Sequence, residues 1–389
     1  MFPRLSTLFL LAASLLAASG ATRPGEETTP RPPHASQEGE DGLSDLSTLG
    51  DPTARYRVLQ WKVEQGLPEN HVTAIVQTQD GYVWIGTIFG LVRYDGVRFT
   101  VFEKATLKLM RDSEEDVKGL AEDGSQALWV AAQNGLLRLA DHRWQLFQKR
   151  AGPEEFRPTG VCSRAKGGAW VGSYGTVTHF GPEGAVKDYT IPLDRPKPIR
   201  KLVEAPDGSL WVATRYTVMH GWPDEGRWET VMTARSSEAW VQYLLLDADG
   251  AVCFGGLNGC YRVDAKGGGK PALVAGFTLS ADGSRESYPV QAYRKDRKGR
   301  TWVATLSELT QVNEQPDGKA PVVIGSVRHP GLQRIEQMMV DREGNLWVGT
   351  ESDGLLLLHE RRFATLLPPN GTAAENNTWS VCEDGRGRL

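Results

Sequence analysis

Side chains able to act as acids, bases or metal ligands are scattered along this chain rather than grouped in motifs. The seven histidines show neither an HExxH sequence nor another paired spacing typical of metal ligands. No G-x-S-x-G nucleophile elbow and no phosphate-binding P-loop occur. We therefore predict no catalytic residues, no metal site and no cofactor, and the residues present are not expected to form an enzyme. Most of the histidines are expected on turns or strand surfaces.

Two further residue types could carry chemistry, namely the turn aspartates and the four cysteines. Aspartates recur in short turns that contain glycine, such as Asp80-Gly81. We interpret them as stabilising hairpins, because no loop gathers the several oxygen ligands that calcium requires. Cys253 and Cys260 could face each other across a hairpin and form a disulfide. Buried thiols that pack as small apolar side chains are the favoured alternative.

These residues must be positioned by a sequence repeat. Its clearest feature is a tryptophan, replaced once by a cysteine, that returns every 41 to 49 residues. A period of roughly 40–45 residues with one tryptophan per unit is typical of the four-stranded blade of a β-propeller. We therefore predict an all-β fold, a seven-bladed propeller of four-stranded antiparallel blades, over residues 55–369. The repeated position, called the anchor below, is occupied by Trp84, Trp129, Trp170, Trp211, Cys253, Trp302 and Trp347.

Each unit has the same order of strands: an inner strand, a turn with glycine, the anchor strand, a third strand and an outer strand. The residue eight positions before the anchor is apolar or cysteine in every unit except one, which has Arg294. Outer strands are predicted at Arg98–Phe102, Trp144–Phe147, Val186–Thr190, Trp228–Met232 and Phe363–Leu367. Two ways of closing the ring stay open. Either the first strand, Tyr56–Trp61, is the outer strand of the last blade, or Phe363–Leu367 has that place and the first strand caps another edge.

The two ends of the chain differ from the repeat. Residues 1–21 are predicted to be a secretory signal peptide, with Arg4 before an uncharged run and small residues at the cleavage site; an uncleaved anchor is the alternative. Residues 22–54 are rich in Pro, Glu, Gly, Ser and Thr and are predicted to be a disordered linker. Residues 370–389 contain another inner strand and turn, and we interpret them as the truncated start of an eighth blade or a second propeller.

One stretch near the beginning of the repeat carries a family resemblance. It contains GLP-x-N-x-V from Gly66 to Val72, a Gln-x-x-Asp-Gly turn, WIGT and GLVRYDG, and a looser D-x-x-G-x-L-W-V-G-T returns at Asp341–Thr350. This run strongly resembles the two-component regulator propeller family, from about Arg55 onward. The resemblance implies an extracytoplasmic sensor region, followed in the full protein by a transmembrane helix and a histidine kinase or diguanylate cyclase. That output domain is not in this sequence.

The positions where the repeat varies are the candidates for ligand binding. In a propeller the loops after the anchor strand and before the inner strand open on one face around the central channel. Loop residues change from unit to unit, as a binding face on a constant scaffold would require, although unconstrained loops vary too. Arg215 and Tyr216 are the best pair, because a bidentate donor beside an aromatic ring suits sugars or carboxylates. The other candidates are Trp240, Gln133, Asn134, Tyr174, Asn258 and Glu308.

Together these features predict a ligand-binding sensor domain of a transmembrane signalling receptor, exported to the periplasmic or extracytoplasmic side. The ligand is expected to be a small molecule or glycan, and a homodimer would form through regions outside this chain. The alternatives are a secreted propeller lyase or hydrolase and a protein-interaction scaffold. With 44 basic and 48 acidic residues and a net charge of −4, no nucleic-acid partner is expected. No stretch after residue 21 has about 18 consecutive apolar residues, so contact with the membrane is expected only through a segment C-terminal to this chain.

Overall fold

The chain folds into a ring of small antiparallel sheets. This computed structural model describes residues 56–102, 116–133, 135–147, 156–181, 184, 186–234, 241–247, 249–256, 259–264, 271–275, 290–305, 308–313, 322–327 and 329–361. Within these ranges there are seven four-stranded sheets and two 3₁₀ turns, Val63–Gln65 and Pro223–Glu225. The innermost strand of each sheet contacts that of the next, and the last contacts the first. The predicted seven-bladed propeller is confirmed.

Six blades are built from four consecutive strands each. Blade 1 has β2 (Val72–Gln77), β3 (Val83–Thr87), β4 (Gly90–Tyr94) and β5 (Phe99–Phe102). Blade 2 has β6 (Val117–Glu122), β7 (Leu128–Ala132), β8 (Gly135–Ala140) and β9 (Arg143–Phe147). Blade 3 has β10 (Gly160–Ser163), β11 (Ala169–Gly172), β12 (Thr176–Phe180) and β13 (Val186–Thr190).

The remaining blades follow the same order until the ring closes. Blade 4 has β14 (Lys201–Glu204), β15 (Leu210–Ala213), β16 (Thr217–Trp222) and β17 (Arg227–Thr233). Blade 5 has β18 (Val241–Leu246), β19 (Ala251–Gly256), β20 (Gly259–Asp264) and β21 (Ala272–Ala275). Blade 6 has β22 (Ala292–Lys295), β23 (Thr301–Ala304), β24 (Leu309–Asn313) and β25 (Val322–Val327). Blade 7 has β26 (Ile335–Val340), β27 (Leu346–Thr350), β28 (Leu355–Glu360) and, from the start of the chain, β1 (Tyr56–Trp61).

The seventh blade shows which of the two closures the protein uses. Strand β1 pairs antiparallel with β28, with Tyr56 opposite Glu360 and Trp61 opposite Leu355. The first strand is therefore the outer strand of the last blade, as in the first of the two predicted closures. The other candidate, Phe363–Leu367, lies outside the described residues. The four remaining outer strands agree with their predicted positions to within a residue at each end.

The anchor tryptophans are buried, and several of them are fixed by the turn that precedes them. Trp129, which is 0% exposed, donates its Nε1–H to Asp123 Oδ2 at 2.8 Å. The same pairing, six residues apart, joins Trp302 to Asp296 at 3.2 Å and Trp347 to Asp341 at 2.8 Å. Because a buried indole N–H needs an acceptor, the turn aspartate serves the packing of the blade as well as the hairpin.

Asp123 also connects neighbouring blades. Its Oδ2 accepts the backbone N–H of Gly168, in the turn of blade 3, at 2.9 Å. Its Oδ1 accepts the backbone N–H groups of Ser125 and Ala127. The carboxylate therefore holds its own turn, its own anchor and the next blade together.

The other four blades depart from this arrangement. In blade 1, Thr78 takes the place of the aspartate and accepts the Nε1–H of Trp84 at 3.1 Å. In blade 3, Arg164 stands there, with its guanidinium 5.4 Å from the centre of the Trp170 ring.

In blade 4 an alanine, Ala205, stands six residues before Trp211, and the indole instead stacks on His220 with 4.3 Å between ring centroids. His220 is fully buried, so it is an exception to the expectation that histidines lie on turns or strand surfaces. In blade 5 the anchor is Cys253, and Asp247 binds Arg262 Nη1 at 2.6 Å in place of an indole.

The pairing in blade 5 also settles the cysteines. Cys253 lies opposite Arg262, and Cys260 lies opposite Gly255, so the two sulfurs are not partners across the hairpin. Both are buried thiols. The favoured interpretation is confirmed.

Candidate functional site

The ring leaves a central channel, and one end of it forms a cavity of about 430 Å³. This end is the face that carries the loops after the anchor strands and the starts of the inner strands, which is where the sequence places ligand binding. One side chain from every blade lines it, always eleven residues before the anchor. We call this set the mouth ring: Thr73, Lys118, Thr159, Arg200, Gln242, Gln291 and Glu336.

The backbone explains why polar residues are found here in strands that are otherwise largely apolar. In blades 1, 2, 5 and 7 the register between the inner strand and the anchor strand shifts at the mouth-ring residue. For example, Val117 pairs with Ala132 and Gly119 with Ala131, which leaves Lys118 as the extra residue. A β-bulge of this kind re-aims a side chain. Here it leaves the preceding valine or isoleucine buried and the polar residue on the channel wall.

The two threonines of the mouth ring have structural partners. Thr73 Oγ1 donates to the carbonyl oxygen of Val117 in the next blade. Thr159 Oγ1 reaches the carbonyl oxygen of Ile199 at 2.6 Å. These hydroxyls join neighbouring blades, so the charged and amide members are the ones available to a ligand.

Apart from Lys118 and Asp116 of blade 2, which pair with each other, the charges of the mouth are divided between two sides of the channel. Blade 4 contributes adjacent cations, Arg200 and Lys201. Glu336 comes from blade 7, three blades away in a ring of seven, which is as far across as the ring allows. Burial lowers the pKa of Lys201 to about 8, with the charges of Arg294 and Arg200 acting in the same direction and Glu336 opposing them. The mouth therefore has a cationic wall facing an acidic one.

Glu336 has a neighbour of its own on the acidic side. His71 Nε2 lies 3.4 Å from Glu336 Oε2. The hydrogen bond to Glu336 raises the pKa of His71 above its ordinary value, and partial burial acts against it more weakly. This imidazole and carboxylate are the one titratable pair at the mouth, within the described ranges, that resembles an acid–base couple.

Arg294, the exception among the apolar inner-strand positions, lies deeper in the channel. It lines a second cavity, of about 550 Å³, together with Lys201 and Glu336. Burial lowers the pKa of the Arg294 guanidinium, and Nη1 donates to the carbonyl oxygen of Tyr293 at 3.1 Å. The break in the apolar pattern thus marks a cation placed on the channel wall.

Of the eight residues proposed from the sequence, Tyr174 lines the cavity at the mouth, and its side chain is largely exposed. Its backbone forms a bridge with Pro198, two residues before Arg200. Tyr174 therefore lies beside the cationic wall. Its role in binding stays a prediction.

The structure does not bring the other described candidates to the cavity. The Arg215 guanidinium lies 5.5 Å from the centre of the Tyr216 ring, and the two carbonyl oxygens accept the backbone N–H groups of Val241 and Ala234. Gln133 and Glu308 are partly buried loop residues away from the cavity lining. Trp240, Asn134 and Asn258 lie outside the described residues. Binding at these seven positions stays a prediction.

The mouth ring itself was missed from the sequence, although a signal for it is present there. Twelve residues before each anchor the residue is apolar, and eleven residues before it the residue is polar, in all seven units. This change from an apolar to a polar residue within an inner strand distinguishes a position between the blades from a position on the channel wall. The signal lies in the inner strands rather than in the loops.

In the part of the chain that the structure describes, no group of three or more His, Cys, Asp or Glu side chains is placed to hold a metal ion. No helix among those residues has the length and apolar character needed to cross a bilayer.

Comparison with known families finds matches in the two blades that meet at the ring closure. Residues 66–89 of blade 1 and 331–352 of blade 7 match the family described as two component regulator propeller. The chain carries two-component regulator propeller repeats. The resemblance seen in the sequence is thereby confirmed. No curated protein matches the chain.

Solved structures show the same architecture at low sequence identity. The extracellular domain of a hybrid two component system from B. thetaiotaomicron is similar with a TM-score of 0.58 and 17% identity, over 78% of this chain and 42% of that one. PorZ, a surface component of the type-IX secretion system of Porphyromonas gingivalis, gives 0.62 and 18%, over 75% and 47%. Virginiamycin B lyase from Staphylococcus aureus gives 0.60 and 13%, over 78% and 99%. At these identities the likeness shows the fold alone, and this chain spans less than half of the first two proteins.

Proposed function

We propose that this chain is the ligand-binding part of an extracytoplasmic sensor, which takes up a small molecule or oligosaccharide at the mouth ring. The observation that carries the proposal is the ring itself. Seven blades present seven polar side chains to one cavity, while the residues just before them are apolar and buried. A concave site with a few convergent polar groups is the usual form of a small-molecule site.

Other observations support the sensor over a simple binding protein. The regulator propeller repeats occur in blades 1 and 7, and the predicted signal peptide agrees with an exported domain. A ligand at the mouth would touch several blades at once, including blades 1 and 7 on either side of the closure. A receptor needs a ligand that binds one of two states more tightly, and contacts spread over separate blades can supply that difference. The output domain and a homodimer through regions outside this chain belong to the same proposal.

The proposal is tested by screening the purified chain for thermal stabilisation with a panel of mono- and oligosaccharides and small metabolites. A ligand that binds only the folded state raises the melting temperature by mass action. The stabilisation should be lost in a double variant, Gln242→Ala with Glu336→Ala, and kept in Glu343→Ala, which changes an exposed turn at the other end of blade 7. Ligand stabilisation that is equal in both variants would show that binding lies elsewhere.

A second candidate function is a secreted lyase, and the observation that favours it is the pairing of His71 with Glu336 at the cavity. Such an imidazole, held by a carboxylate, could remove a proton from a bound substrate. Virginiamycin B is the natural first substrate to test, because the lyase that acts on it shares the fold. Turnover that disappears in His71→Ala would establish the lyase, whereas no turnover at any pH between 6 and 8 would leave the sensor as the better account.

A further inference from the structure

The charged side chains at the mouth are not equally matched. Lys118 is hydrogen-bonded to Asp116 of its own blade, and Glu336 lies against His71. Arg200 and Lys201, by contrast, make no side-chain hydrogen bond or ion pair among the residues that the structure describes. The cationic wall of blade 4 is therefore left without a partner at the cavity.

Keeping these cations together opposes the stability of the free protein. Lys201 is half-buried in the channel wall, and burial disfavours its charged form. Arg200 and Arg294 add like charge, and Glu336 on the far side gives partial compensation. Perturbed charges of this kind occur preferentially at functional sites, where a ligand of opposite charge completes them.

We infer that the ligand of the mouth carries a carboxylate group, which binds between Arg200 and Lys201. This inference rests on the proposed function and names the ligand class. The guanidinium of Arg200 can bind a carboxylate through two parallel hydrogen bonds, and the ammonium of Lys201 adds a third donor. Glu336 repels a carboxylate, so it directs the acidic end of the ligand toward blade 4.

The rest of the mouth fits the neutral part of such a ligand. The amides of Gln242 and Gln291 both donate and accept hydrogen bonds, which suits hydroxyl groups. The Tyr174 ring beside blade 4 offers an apolar face with a polar edge. Two classes of compound share this chemistry, namely acidic sugars and simple organic acids.

The experiment compares three probes by calorimetric titration of the purified chain: D-glucuronate, D-glucose and succinate. Glucuronate and glucose differ at a single carbon, so the pair isolates the carboxylate. The variants are Arg200→Gln and Lys201→Met, and the matched control is Lys166→Met, which removes the same charge from an exposed turn at the opposite end of the channel.

The expected result is binding of glucuronate at least tenfold tighter than glucose, because a hydrogen bond to a charged group carries about that much affinity. Arg200→Gln and Lys201→Met should each weaken it by about tenfold or more, and Lys166→Met should leave it unchanged. Binding of glucuronate alone assigns the site to acidic sugars, and equal binding of succinate assigns it to carboxylates in general.

Several results would overturn the inference. Glucose binding as tightly as glucuronate would show that the mouth recognises hydroxyl groups only. No response to either acid, or a loss in Lys166→Met equal to that in Lys201→Met, would show that the blade 4 cations do not form the site. A neutral oligosaccharide that binds and is lost in the Gln242→Ala, Glu336→Ala double variant would keep the proposed function while ending this inference.

Discussion

Two rows of equivalent residues run around this ring, and they differ in how much the residue type varies and in where the side chains lie. The anchor row is nearly uniform and buried, and six of its seven members are tryptophan. The mouth ring, eleven residues earlier in each unit, contains five residue types and faces the channel. The same repeat thus supplies a constant row that packs the blades and a varied row that can recognise a ligand. The function of a propeller of this kind is to be sought where side chains on equivalent strand positions differ.

The exceptions in the anchor row show how strict packing is. Where the tryptophan is replaced by Cys253, the turn aspartate Asp247 accepts a hydrogen bond from the guanidinium of Arg262. Where the aspartate is replaced by Ala205, the indole of Trp211 stacks on a buried His220. The first change gives the buried carboxylate a new hydrogen-bond partner, because a buried polar group left alone costs about 1–3 kcal/mol. The second gives the indole a ring contact and leaves its Nε1–H without an acceptor among the described residues.

Removing an anchor should have the largest effect on stability. Trp129→Ala should lower the free energy of unfolding by about 3–5 kcal/mol, since it empties a fully buried site between two blades. Urea denaturation followed by tryptophan fluorescence measures it. Lys118→Met, in the mouth ring of the same blade, should change stability by less than about 1 kcal/mol. Similar losses for the two variants would contradict the division between the rows.

Removing the carboxylate that accepts the anchor's indole N–H should have the next largest effect on stability. Asp123→Ala leaves the buried N–H of Trp129 and that of Gly168 without an acceptor and should cost about 2–4 kcal/mol. The matched control is Asp207→Ala in blade 4, whose carboxylate serves only the turn residue Ser209 among the described residues. The denaturation midpoints should separate the two, and an equal cost would assign the effect to the turn.

Asp123 also gives a pH dependence. Burial raises the pKa of this carboxyl, but hydrogen bonds from Ser125, Trp129, Gly168 and Ala127 outweigh burial and lower the pKa overall. The stabilisation is therefore present above the carboxyl's ordinary pKa and is lost as pH falls through the lowered value. Acid unfolding of the wild type should be steeper than that of Asp123→Asn.

Next to the mouth ring, at Lys201, the effect of a substitution on stability is expected to have the opposite sign. Lys201→Met should raise the stability of the ligand-free protein, on the order of 1–3 kcal/mol, because it removes a charge that burial disfavours. In the wild type, stability should rise between a pH of about 8 and the ordinary lysine pKa, since the unfolded chain binds the extra proton there. Thermal melts across that range measure both effects. A destabilised Lys201→Met would mean that the lysine serves packing.

The smallest effect is expected at the acidic side of the mouth. Glu336→Gln should lower the pKa of His71, because the hydrogen bond to Glu336 is the main cause of its raised value. The stabilisation from this pair is full below the ordinary histidine pKa and is lost as pH rises through the raised value. Since Glu336 is exposed, the change in stability should stay within about 1 kcal/mol. NMR titration of the His71 ring gives the pKa, and an unchanged value would exclude the pairing.

The sequence was sufficient to predict the fold, because the fold follows from the spacing of the repeated strands and anchors. The spacing from Trp84 to Trp347 set the number of blades, and the alternation in Tyr56–Trp61 marked a strand without showing its partner. The site was harder, because the direction of a side chain depends on register. A bulge of one residue turns Lys118 to the channel. The sequence of a single short strand does not indicate where a bulge occurs. The burial of His220 was not predicted either, since it depends on ring contacts with Trp211 and Trp222 that the repeat spacing does not show.

The closure by β1 has a consequence for how the protein folds. Its partner strand, β28, is made about 300 residues later, which corresponds to roughly 15–60 s of synthesis at usual rates. Blades 1 to 6 can form in order during that time, each from neighbouring sequence, while Tyr56–Trp61 waits as an unpaired strand. Folding therefore ends with a long-range step, the kind that is slow and exposed to mispairing. Substitutions in β1 should accordingly show first as lower yield of folded protein from the cell, before any change in the finished ring.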